Sequence, residues 1–449
     1  MILLNKNYNG MFKELVVAYK NGVFESKIEE ILCKETGDKN VLCKNISSLC
    51  GVELGYSEDY PKRLKEAIKN CENNEKIVTK ITEDCSGCSE HNARCEASCP
   101  FDAIKLNKEE TGRYIDAEAC TDCGLCVEAC KGGTIVDKVE FLPLFELINS
   151  GDVVIAAVAP AIANQFNDAN LDQMRTAFKK VGFTDMIEVA FFADMLTLKE
   201  AVEFDAMVKD KDDFMITSCC CPMWVAMIKK VYGDLIKHVS PSVSPMIAAG
   251  RVLKALNPKV KVVFVGPCIA KKSEAKEADL KGDIDYVLTF AEVQEIFDAL
   301  NINPAELEET KTLEYASKGG RLYARTGGVS MAITEAIEML FPNKYENLTA
   351  IQADGVKDCK ALLNKVINGE VDGNFIEGMG CKGGCVGGPK AILPMEEGTK
   401  KVNECADEAE FKVATQSEKM QEILAELDIK RLKDFLNHDK TNIFHRSFK

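Results

Sequence analysis

Cysteine is concentrated in three separated segments of the chain, which read TSCCCPMW at 217–224, VGPCIAKKSEA at 265–275 and EGMGCKGGC at 377–385. With 20 cysteines and four histidines among 449 residues, the thiols are too clustered to be explained by ordinary burial. Thiolates are soft ligands that suit iron and zinc, and glycines such as Gly383 and Gly384 let the backbone approach a metal closely. We therefore expect these segments to bind metal.

A further group of cysteines has the spacing of a bacterial ferredoxin. Cys120, Cys123, Cys126 and Cys130 form the x2, x2, x3 run whose fourth cysteine serves the neighbouring cluster. A partner run precedes it, with four extra residues between its second and third cysteines. Crossed ligation predicts two [4Fe-4S] clusters, one held by Cys85, Cys88, Cys95 and Cys130 and the other by Cys99, Cys120, Cys123 and Cys126. Two zinc sites are the alternative, but this run is not a usual zinc spacing.

The elements that would position the three segments alternate between strands and helices. From about residue 150, apolar β-rich runs such as VVIAAVAP and KVKVVFVG alternate with helical runs such as LDQMRTAFKKVGF. This alternation is typical of parallel sheets with crossover helices. FMITS leads into Cys219 and VVFVG leads into Cys268. Because loops at the carboxyl ends of parallel strands carry the sites of such folds, the placement favours a functional role for these cysteines.

Four regions are predicted along the chain. They are a mostly helical region of unknown role at 1–80, a 2x[4Fe-4S] ferredoxin-like domain at 81–140, a two-lobed α/β domain at 141–395, and a helical C-terminal tail at 396–449 that wraps it. Four dispersed cysteines in the first region, Cys33, Cys43, Cys50 and Cys71, match no compact ligand motif. Thiols packed in the interior are the favoured interpretation, and a further cluster stays open.

Charge and hydropathy limit the partners and the compartment. The 56 basic and 71 acidic residues give a net charge of -15, which disfavours a nucleic-acid partner. No apolar run is long enough to cross a bilayer, and the first residues do not read as a signal segment. We therefore expect a cytoplasmic protein with no membrane partner. Disulfides are a weak explanation for the cysteines in a reducing cytosol.

In this order the three segments resemble the catalytic H-domain of [FeFe]-hydrogenases, whose motifs usually read TSCCPxW, MPCxxKxxE and ExMxCxxGC. The resemblance covers about 150–395 and extends to the ferredoxin-like segment. It implies reversible conversion of protons and electrons into H2 at an H-cluster, a [4Fe-4S] cubane linked to a two-iron subsite with CO, cyanide and azadithiolate. The implied cubane ligands are Cys221, Cys268, Cys381 and Cys385, and Cys385 would bridge to the subsite.

The resemblance also implies a pocket around the subsite and a proton relay. Lys271 would pair with a cyanide and Glu274 would orient it. The remaining implied pocket residues are Met379, Ala159, Pro160 and Ser244. The implied proton carriers are Cys220 next to the subsite and, further out, Glu200, Ser240 and Glu203. The alternative for the two glutamates is an ordinary solvated helix face.

Several positions depart from the family pattern. Cys219 adds a third cysteine to the first motif and could compete with Cys220 as proton carrier. Gly266 replaces a methionine and is expected to leave space beside the subsite. Met207 stands where the relay usually ends in arginine, and Met246 replaces a common glutamine. These changes resemble the divergent, sensory branch of the family, so we expect slow turnover and a role in sensing H2.

The sequence leaves two classes of function open. The favoured one is an enzyme that exchanges H2 and protons, with electrons passing through the two [4Fe-4S] clusters to a ferredoxin-like or other redox partner and with a signalling partner on a separate chain. The alternative is an iron-sulfur electron-transfer or assembly protein of the same family without the two-iron subsite. Such proteins usually lose the cysteine pair and the pocket residues, whereas Cys220, Lys271 and Met379 remain.

Overall fold

The computed structural model describes residues 3–70, 76–82, 94–106, 112–210, 212–217, 219–312 and 315–448. Cys71, Cys85 and Cys88 lie outside the described residues, so the hypotheses that involve them stay predictions. None of the helices in the described part of the chain combines the length and apolarity needed to cross a bilayer.

Four helices form the N-terminal region. They are α1 (Leu3–Lys20), α2 (Phe24–Lys34), α3 (Lys39–Leu49) and α4 (Tyr60–Lys69). Helix α2 shows an amphipathic pattern, because Phe24 and Ile28 lie one turn apart and are both buried. Cys43 and Cys50 are buried in the same core, whereas Cys33 is exposed. The two buried thiols pack like small apolar side chains.

Short strands and helices make up the ferredoxin-like segment. Its elements are β1 (Val78–Lys80), α5 (Arg94–Ser98), β2 (Ile104–Leu106), β3 (Arg113–Ile115), α6 (Leu125–Ala129) and β4 (Ile135–Asp137). Strand β1 pairs antiparallel with β4, and β2 pairs antiparallel with β3. A short strand follows each cysteine run, with β2 after Cys99 and β4 after Cys130.

Two parallel sheets form the core of the α/β domain. The strands are β5 (Val154–Val158), β6 (Asp185–Glu188), β7 (Met215–Ile216), β8 (Lys261–Gly266), β9 (Tyr286–Thr289), β10 (Ala350–Asp354) and β11 (Phe375–Met379). Strands β6, β5, β8 and β9 form one parallel sheet in that order, and β10, β11 and β7 form the second. The predicted α/β fold with parallel sheets is confirmed.

Helices connect and cover these strands. They are α7 (Phe141–Asn149), α8 (Leu171–Val181), α9 (Val189–Met207), α10 (Pro222–Val231), α11 (Pro245–Leu256), α12 (Ala270–Glu274), α13 (Phe290–Leu300), α14 (Lys318–Leu322), α15 (Gly328–Leu340), α16 (Pro342–Tyr345) and α17 (Gly355–Ile367). Helix α9 is buried on all sides from Val189 to Phe204, because its sequence is apolar around most of its circumference. It therefore carries its few charged side chains into the interior.

The C-terminal tail contains α18 (Met395–Asp407), α19 (Glu418–Glu426) and α20 (His438–Thr441). A 3-10 turn at Leu432–Leu436 packs against α9. Further on, Val243 N donates to Phe444 O (3.0 Å) and Arg446 N donates to Pro241 O (3.0 Å). The end of the described chain thus covers the segment that leads into α11.

A buried charge cluster joins the ferredoxin-like segment to the α/β domain. Lys272 on α12 is fully buried. Its Nζ lies 3.2 Å from Oδ2 of Asp137 on β4 and also pairs with Glu292 on α13. Lys390 Nζ lies 2.9 Å from Oδ1 of Asp137. Burial alone would raise the pKa of Asp137, but the two lysines outweigh it and lower that pKa. The two lysines therefore compensate the buried carboxylate of Asp137.

Lys272→Met is expected to lower the free energy of unfolding by about 3–5 kcal/mol, because it removes the buried cation that pairs with Glu292 and one of the two lysines that pair with Asp137. Anaerobic urea unfolding measures the loss. The matched control is Lys400→Met, whose exposed pair with Glu404 should contribute at most about 0.5 kcal/mol. Equal losses in the two variants would contradict a structural role for the cluster.

Candidate metal centre and proton route

The three cysteine segments follow the carboxyl ends of parallel strands. Cys221 comes after β7 and directly before the first residue of α10. Cys268 comes two residues after β8, and Cys381 comes two residues after β11. Cys385 begins a short 3-10 turn further along that last loop. Because β7 and β11 are neighbours in one sheet and β8 belongs to the other, the loops meet between the two sheets.

The structure brings the four implied cubane ligands together. Burial raises the pKa of the Cys381 thiol, and the neighbouring thiols of Cys268, Cys221 and Cys385 raise it further. The backbone N–H of Gly380 donates to Cys221 Sγ over 3.2 Å, an interaction that stabilises a thiolate. Four clustered thiols fit the four corners of a [4Fe-4S] cubane.

A cubane and a single metal ion require different arrangements of their ligands. Among the described residues, no three side chains of cysteine, histidine, aspartate or glutamate converge closely enough to hold one metal ion. The thiolates of a four-iron cluster each bind a different iron, so they need not converge on one point.

The glycines of the third motif are needed for the turn that carries Cys385. Gly383 and Gly384 have φ of +77° and +85°, a region that side chains with a Cβ rarely adopt. A Cβ on Gly384 would lie 2.6 Å from Thr326 N. The N–H of Gly383 donates to Oδ2 of Asp354 over 2.6 Å. The loop therefore runs in close contact with neighbouring backbone, and the predicted close approach of these glycines to a metal stays a prediction.

Two other motif residues hold the loops rather than a metal. Trp224 is fully buried, and its Nε1–H donates to Thr217 O over 3.0 Å. A Cβ on Gly378 would lie 2.3 Å from the Trp224 ring. Glu377 is buried and accepts from the backbone N–H groups of Gly327 and Ser330, each at 2.7 Å, at the start of α15. Trp224 thus fixes the first motif, and Glu377 joins the third to α15.

Lys271 lies beside the cysteine cluster as a buried cation. Its Nζ is 2.6 Å from Glu274 Oε2 and 6.0 Å from the centre of the Phe264 ring. Burial alone would lower the pKa of Lys271, but Glu274 outweighs it, and the nearby thiols of Cys220 and Cys268 also favour the charged form. Lys271 therefore stays an ammonium. The predicted pairing with Glu274 matches this geometry.

The expected open space at Gly266 is absent. A Cβ on Gly266 would lie 2.6 Å from Cε1 of Phe264 and 3.2 Å from the Cβ of Ala159. The aromatic ring occupies the room that we expected the missing methionine to leave, so that prediction was wrong.

The other implied pocket residues are buried or begin a local structure. Ala159 is buried and donates its N–H to Val265 O over 2.8 Å. Pro160 begins a 3-10 turn. Ser244 caps α11, where its hydroxyl accepts from Ile247 N over 3.4 Å. Met379 is buried at the end of β11. Their role around a two-iron subsite stays a prediction.

The two candidate proton-carrying thiols have different surroundings. Burial raises the pKa of Cys220, and Cys385 and Cys221 raise it further, while Lys271 lowers it. Cys220 therefore lies beside the implied bridging ligand and the buried ammonium. Its role as the proton carrier next to a two-iron subsite stays a prediction.

Cys219 instead lies next to the outer relay. Its thiol donates to the backbone carbonyl of Ser240 over 3.0 Å. Burial raises the pKa of Cys219, and the carboxylates of Glu200 and Glu203 raise it further. Along the predicted proton route, Cys220 thus lies on the side of the implied subsite, and Cys219 lies on the side of the two glutamates.

Both relay glutamates are buried, at 3% exposure for Glu200 and 6% for Glu203. The alternative that they form a solvated helix face was wrong, because α9 is an interior helix. Glu200 accepts from the Thr217 hydroxyl, and burial raises the pKa of Glu200 to about 8. Ser240 Oγ donates to Glu203 Oε2 over 2.7 Å. Glu200, Ser240 and Glu203 thus lie in one buried polar region.

Glu200→Gln is expected to gain stability relative to the unmodified protein as the pH rises. The pKa of Glu200 is about 8 when folded and about 4.3 when unfolded. Its contribution is therefore fully present below about pH 4.3 and is lost as the pH rises through about 8. Urea unfolding between these limits should show a difference that grows by up to about 1.4 kcal/mol per pH unit. A pH-independent difference would rule out a protonated Glu200.

The ferredoxin-like cysteines are also grouped, as far as the structure describes them. Cys99, Cys120, Cys123 and Cys126 line one small pocket, the set that crossed ligation predicts for one cluster. Cys95 and Cys130 belong to the same apolar cluster of side chains as Ile269. Their predicted partners, Cys85 and Cys88, lie outside the described residues.

The ferredoxin-like segment approaches the cubane cysteines directly. Cys123 is close enough to Cys381 to raise the pKa of its thiol. A Cβ on Gly124 would lie 2.4 Å from Ile269, the residue after Cys268. An electron on that side of the segment would therefore have a short path to the four crowded cysteines.

Comparison with known proteins agrees with this arrangement. Residues 152–389 match the family model described as the iron-only hydrogenase large subunit, C-terminal domain. The chain belongs to the iron-only hydrogenase family. Residues 77–131 match the 4Fe-4S dicluster domain, so the ferredoxin-like segment precedes the hydrogenase domain as the sequence predicted.

Relatives of this iron-only hydrogenase domain include a hydrogenase subunit and an iron-sulfur assembly component. The NADP-reducing hydrogenase subunit HndD of Solidesulfovibrio fructosivorans is 29% identical over 345 residues, which cover 64% of this chain and 57% of that protein. The cytosolic iron-sulfur assembly component 3 of Rattus norvegicus is 24% identical over 303 residues, covering 55% of this chain and 64% of that protein. The chain thus spans little more than half the length of the hydrogenase subunit.

A solved structure shows the same fold. A variant of the [FeFe]-hydrogenase HydA1 from Chlamydomonas reinhardtii has a TM-score of 0.54 and 24% sequence identity, with 66% of this chain and 93% of the other covered. At that identity the match establishes the fold of the iron-only hydrogenase domain alone.

Lys199 is a buried residue near the predicted relay that the sequence did not mark as part of the site. Lys199 on α9 is 1% exposed and pairs with Glu203. The sequence feature that could have revealed it is a single lysine in a largely apolar helix, four residues before a predicted relay carboxylate.

Proposed function

We propose that the protein is a slow [FeFe]-hydrogenase that interconverts H2 with two protons and two electrons. The observation that carries this proposal is the group of four clustered cysteines with a buried ammonium and a non-ligand thiol beside it. An electron-transfer protein needs the cysteines, but it does not need Lys271 or Cys220. When bound, the H-cluster would supply the low-potential iron that combines protons and electrons.

The chain's own residues would hold this cofactor. Cys221, Cys268, Cys381 and Cys385 would ligate the cubane, and Cys385 would bridge to the two-iron subsite. Lys271 would donate a charge-assisted hydrogen bond to a cyanide, because its ammonium is buried and held by Glu274 at 2.6 Å. We propose that the remaining pocket is lined by Met379, Ala159, Pro160 and Ser244.

Proton delivery would use the buried polar residues of α9 and its neighbours. Cys220 would pass the proton to or from the cofactor, since its thiol lies beside Cys385 and Lys271. Glu200 is suited to the middle of the route, because burial raises its pKa to about 8 and a carboxyl titrating near neutral pH can both accept and donate. Ser240 and Glu203 would continue the route outward.

Electrons would pass through two [4Fe-4S] clusters of the ferredoxin-like segment. The cluster of Cys99, Cys120, Cys123 and Cys126 would be the inner one, because Cys123 lies near Cys381. A ferredoxin-like or other redox protein is the proposed external partner.

We further propose a place in the sensory branch, with slow turnover and an output through a separate signalling protein in the cytoplasm. Three features of the described residues support slow turnover. Met207 ends the relay with an apolar side chain, Cys219 adds a second thiol beside Ser240, and Lys199 pairs with Glu203.

The alternative is an iron-sulfur assembly or electron-transfer protein without the two-iron subsite. The similarity to the assembly component of Rattus norvegicus favours it. The buried pair of Lys271 and Glu274 favours the hydrogenase, because keeping an ion pair in the interior without a ligand to bind gives little stability.

Hydrogen evolution tests the two functions. The anaerobically reconstituted protein is loaded with a synthetic two-iron cofactor and assayed with reduced viologen. The proposal predicts slow H2 production that requires the cofactor and disappears in Cys385→Ser. No H2 above the level of the cofactor-free protein would favour the assembly or electron-transfer function.

A further inference from the structure

Lys199 completes a closed ring of buried polar groups at the outer end of the proposed relay. Its Nζ pairs with Glu203 Oε1 and donates to Ser242 Oγ over 2.8 Å. Ser240 Oγ lies 2.8 Å from Ser242 Oγ and donates to Glu203 Oε2 over 2.7 Å. All four side chains are buried. Both carboxylate oxygens of Glu203 are thus engaged inside the protein.

The surroundings of this ring offer little exchange with solvent. Met207, one turn after Glu203 on α9, is apolar. The backbone on either side of Ser242 is covered by the chain end, since Pro241 O accepts from Arg446 N and Val243 N donates to Phe444 O, each at 3.0 Å. Lys199 is 1% exposed, so it is not a surface cation that could hand protons to water.

We propose that Lys199 holds the Glu203 side chain in a buried ion pair and thereby limits the rate at which protons reach Cys220. The inference rests on the proposed hydrogenase function. Lys199 is a positioning residue in it and keeps its own protons. Each transferred proton would bind to the Glu203 carboxylate and then leave it for the next acceptor inward, so no other reactant is needed.

The physical reason is the cost of an uncompensated buried charge. A proton that arrives at Glu203 neutralises the carboxylate and leaves the Lys199 ammonium buried without its counterion. Each proton that Glu203 takes up would therefore break a buried ion pair, and a relay residue must take up a proton at every passage. The Glu200 carboxyl and the Cys219 thiol also interact with Glu203. Lys199 is the cation recorded on Glu203.

Three variants of Lys199 distinguish the proposed restraint on Glu203 from a role of Lys199 in carrying protons. Lys199→Met removes the cation, Lys199→Gln removes it while keeping a side chain that can hydrogen-bond, and Lys199→Arg keeps the cation. If Lys199 restrains Glu203 in this way, both neutral variants should raise H2 turnover by about tenfold. A change of one unit in the pKa of the proton-accepting carboxyl corresponds to that factor. Lys199→Arg should keep the slow rate. The neutral glutamine variant also covers the case in which the methionine variant does not fold.

A second readout needs no cofactor. Infrared difference spectra of the protein before cofactor loading, between about pH 8 and about pH 5, report the carboxyl C=O stretch of a glutamate that takes up a proton. The band of Glu203 is identified by its loss in a further Glu203→Gln substitution. We expect this band in Lys199→Met and Lys199→Gln and not in the unmodified protein or Lys199→Arg.

Two results would overturn the proposal. One is a Glu203 band of equal size in the unmodified protein and in the neutral variants. The other is a lower turnover in the neutral variants with their CO and cyanide bands unchanged, which would make Lys199 a supporter of proton transfer. Absence of turnover in all proteins alike would count against the hydrogenase function, and the Glu203 band would still decide the role of Lys199.

Discussion

Cys220→Ala is expected to lower H2 turnover by about 100- to 10,000-fold, the usual contribution of a positioned acid or base, while the CO and cyanide infrared bands persist. Cys220 is not one of the four implied ligands, so its loss should leave the cofactor bound. Its thiol lies beside Cys385 and Lys271, where the last proton transfer must occur. Viologen-driven H2 production and infrared spectra of the same samples give both quantities.

Cys219→Ala is the matched control for that prediction. It removes a thiol from the adjacent position in the same motif, and the hydrogen bond it loses goes to the backbone carbonyl of Ser240. We expect a loss of less than about tenfold, since no acid or base next to the subsite is removed. A larger loss in Cys219→Ala than in Cys220→Ala would make Cys219 the proton carrier.

Lys271→Met is expected to lower turnover by about 100- to 1,000-fold, as the removal of one buried hydrogen-bond donor to a charged group does in other active sites. The expected cause is poor retention of the two-iron subsite, so the CO and cyanide bands should weaken in parallel. Lys271 is buried, and its ammonium faces the thiols of Cys220 and Cys268. Infrared band intensity per iron measures the retention.

The control for Lys271 separates cofactor binding from stability. Lys271→Met alone strands the Glu274 carboxylate in the interior, which destabilises the fold. The double variant Lys271→Met/Glu274→Gln removes both charges, so it should regain stability without regaining the infrared bands. Bands of full intensity in this double variant would show that Lys271 does not hold the subsite.

The local patterns in the sequence predicted the fold and the grouping of the cysteines. Alternating β-rich and helical runs predicted parallel sheets, and the cysteine motifs lie at strand ends because connections of parallel strands place their loops there. The parallel sheets and the grouping of the cysteines could both be predicted without information on contacts between distant residues. The position of the glutamates at i and i+3 on α9 was also readable from the spacing.

The contacts that modify the site depended on distant parts of the chain. Glu203 meets Ser240 across 37 positions, and Lys272 meets Asp137 across 135. The family resemblance placed Ser240 and Glu203 in one relay, but nothing in the sequence indicated the pairing of Lys272 with Asp137. At Gly266 the missing side chain suggested open space, but Phe264 turns back into it. Packing of this kind follows from the tertiary structure, so a motif comparison does not reveal it.

Infrared spectroscopy of the protein loaded with the two-iron cofactor tests the central claim most directly. The hydrogenase account predicts CO and cyanide bands that belong to a protein-bound subsite, that shift when the sample is reduced or exposed to H2, and that are missing in Cys385→Ser. Bands identical to those of the free cofactor, or no bands after removal of unbound cofactor, would contradict it. In that case the four cysteines would hold an iron-sulfur cluster for electron transfer or assembly alone.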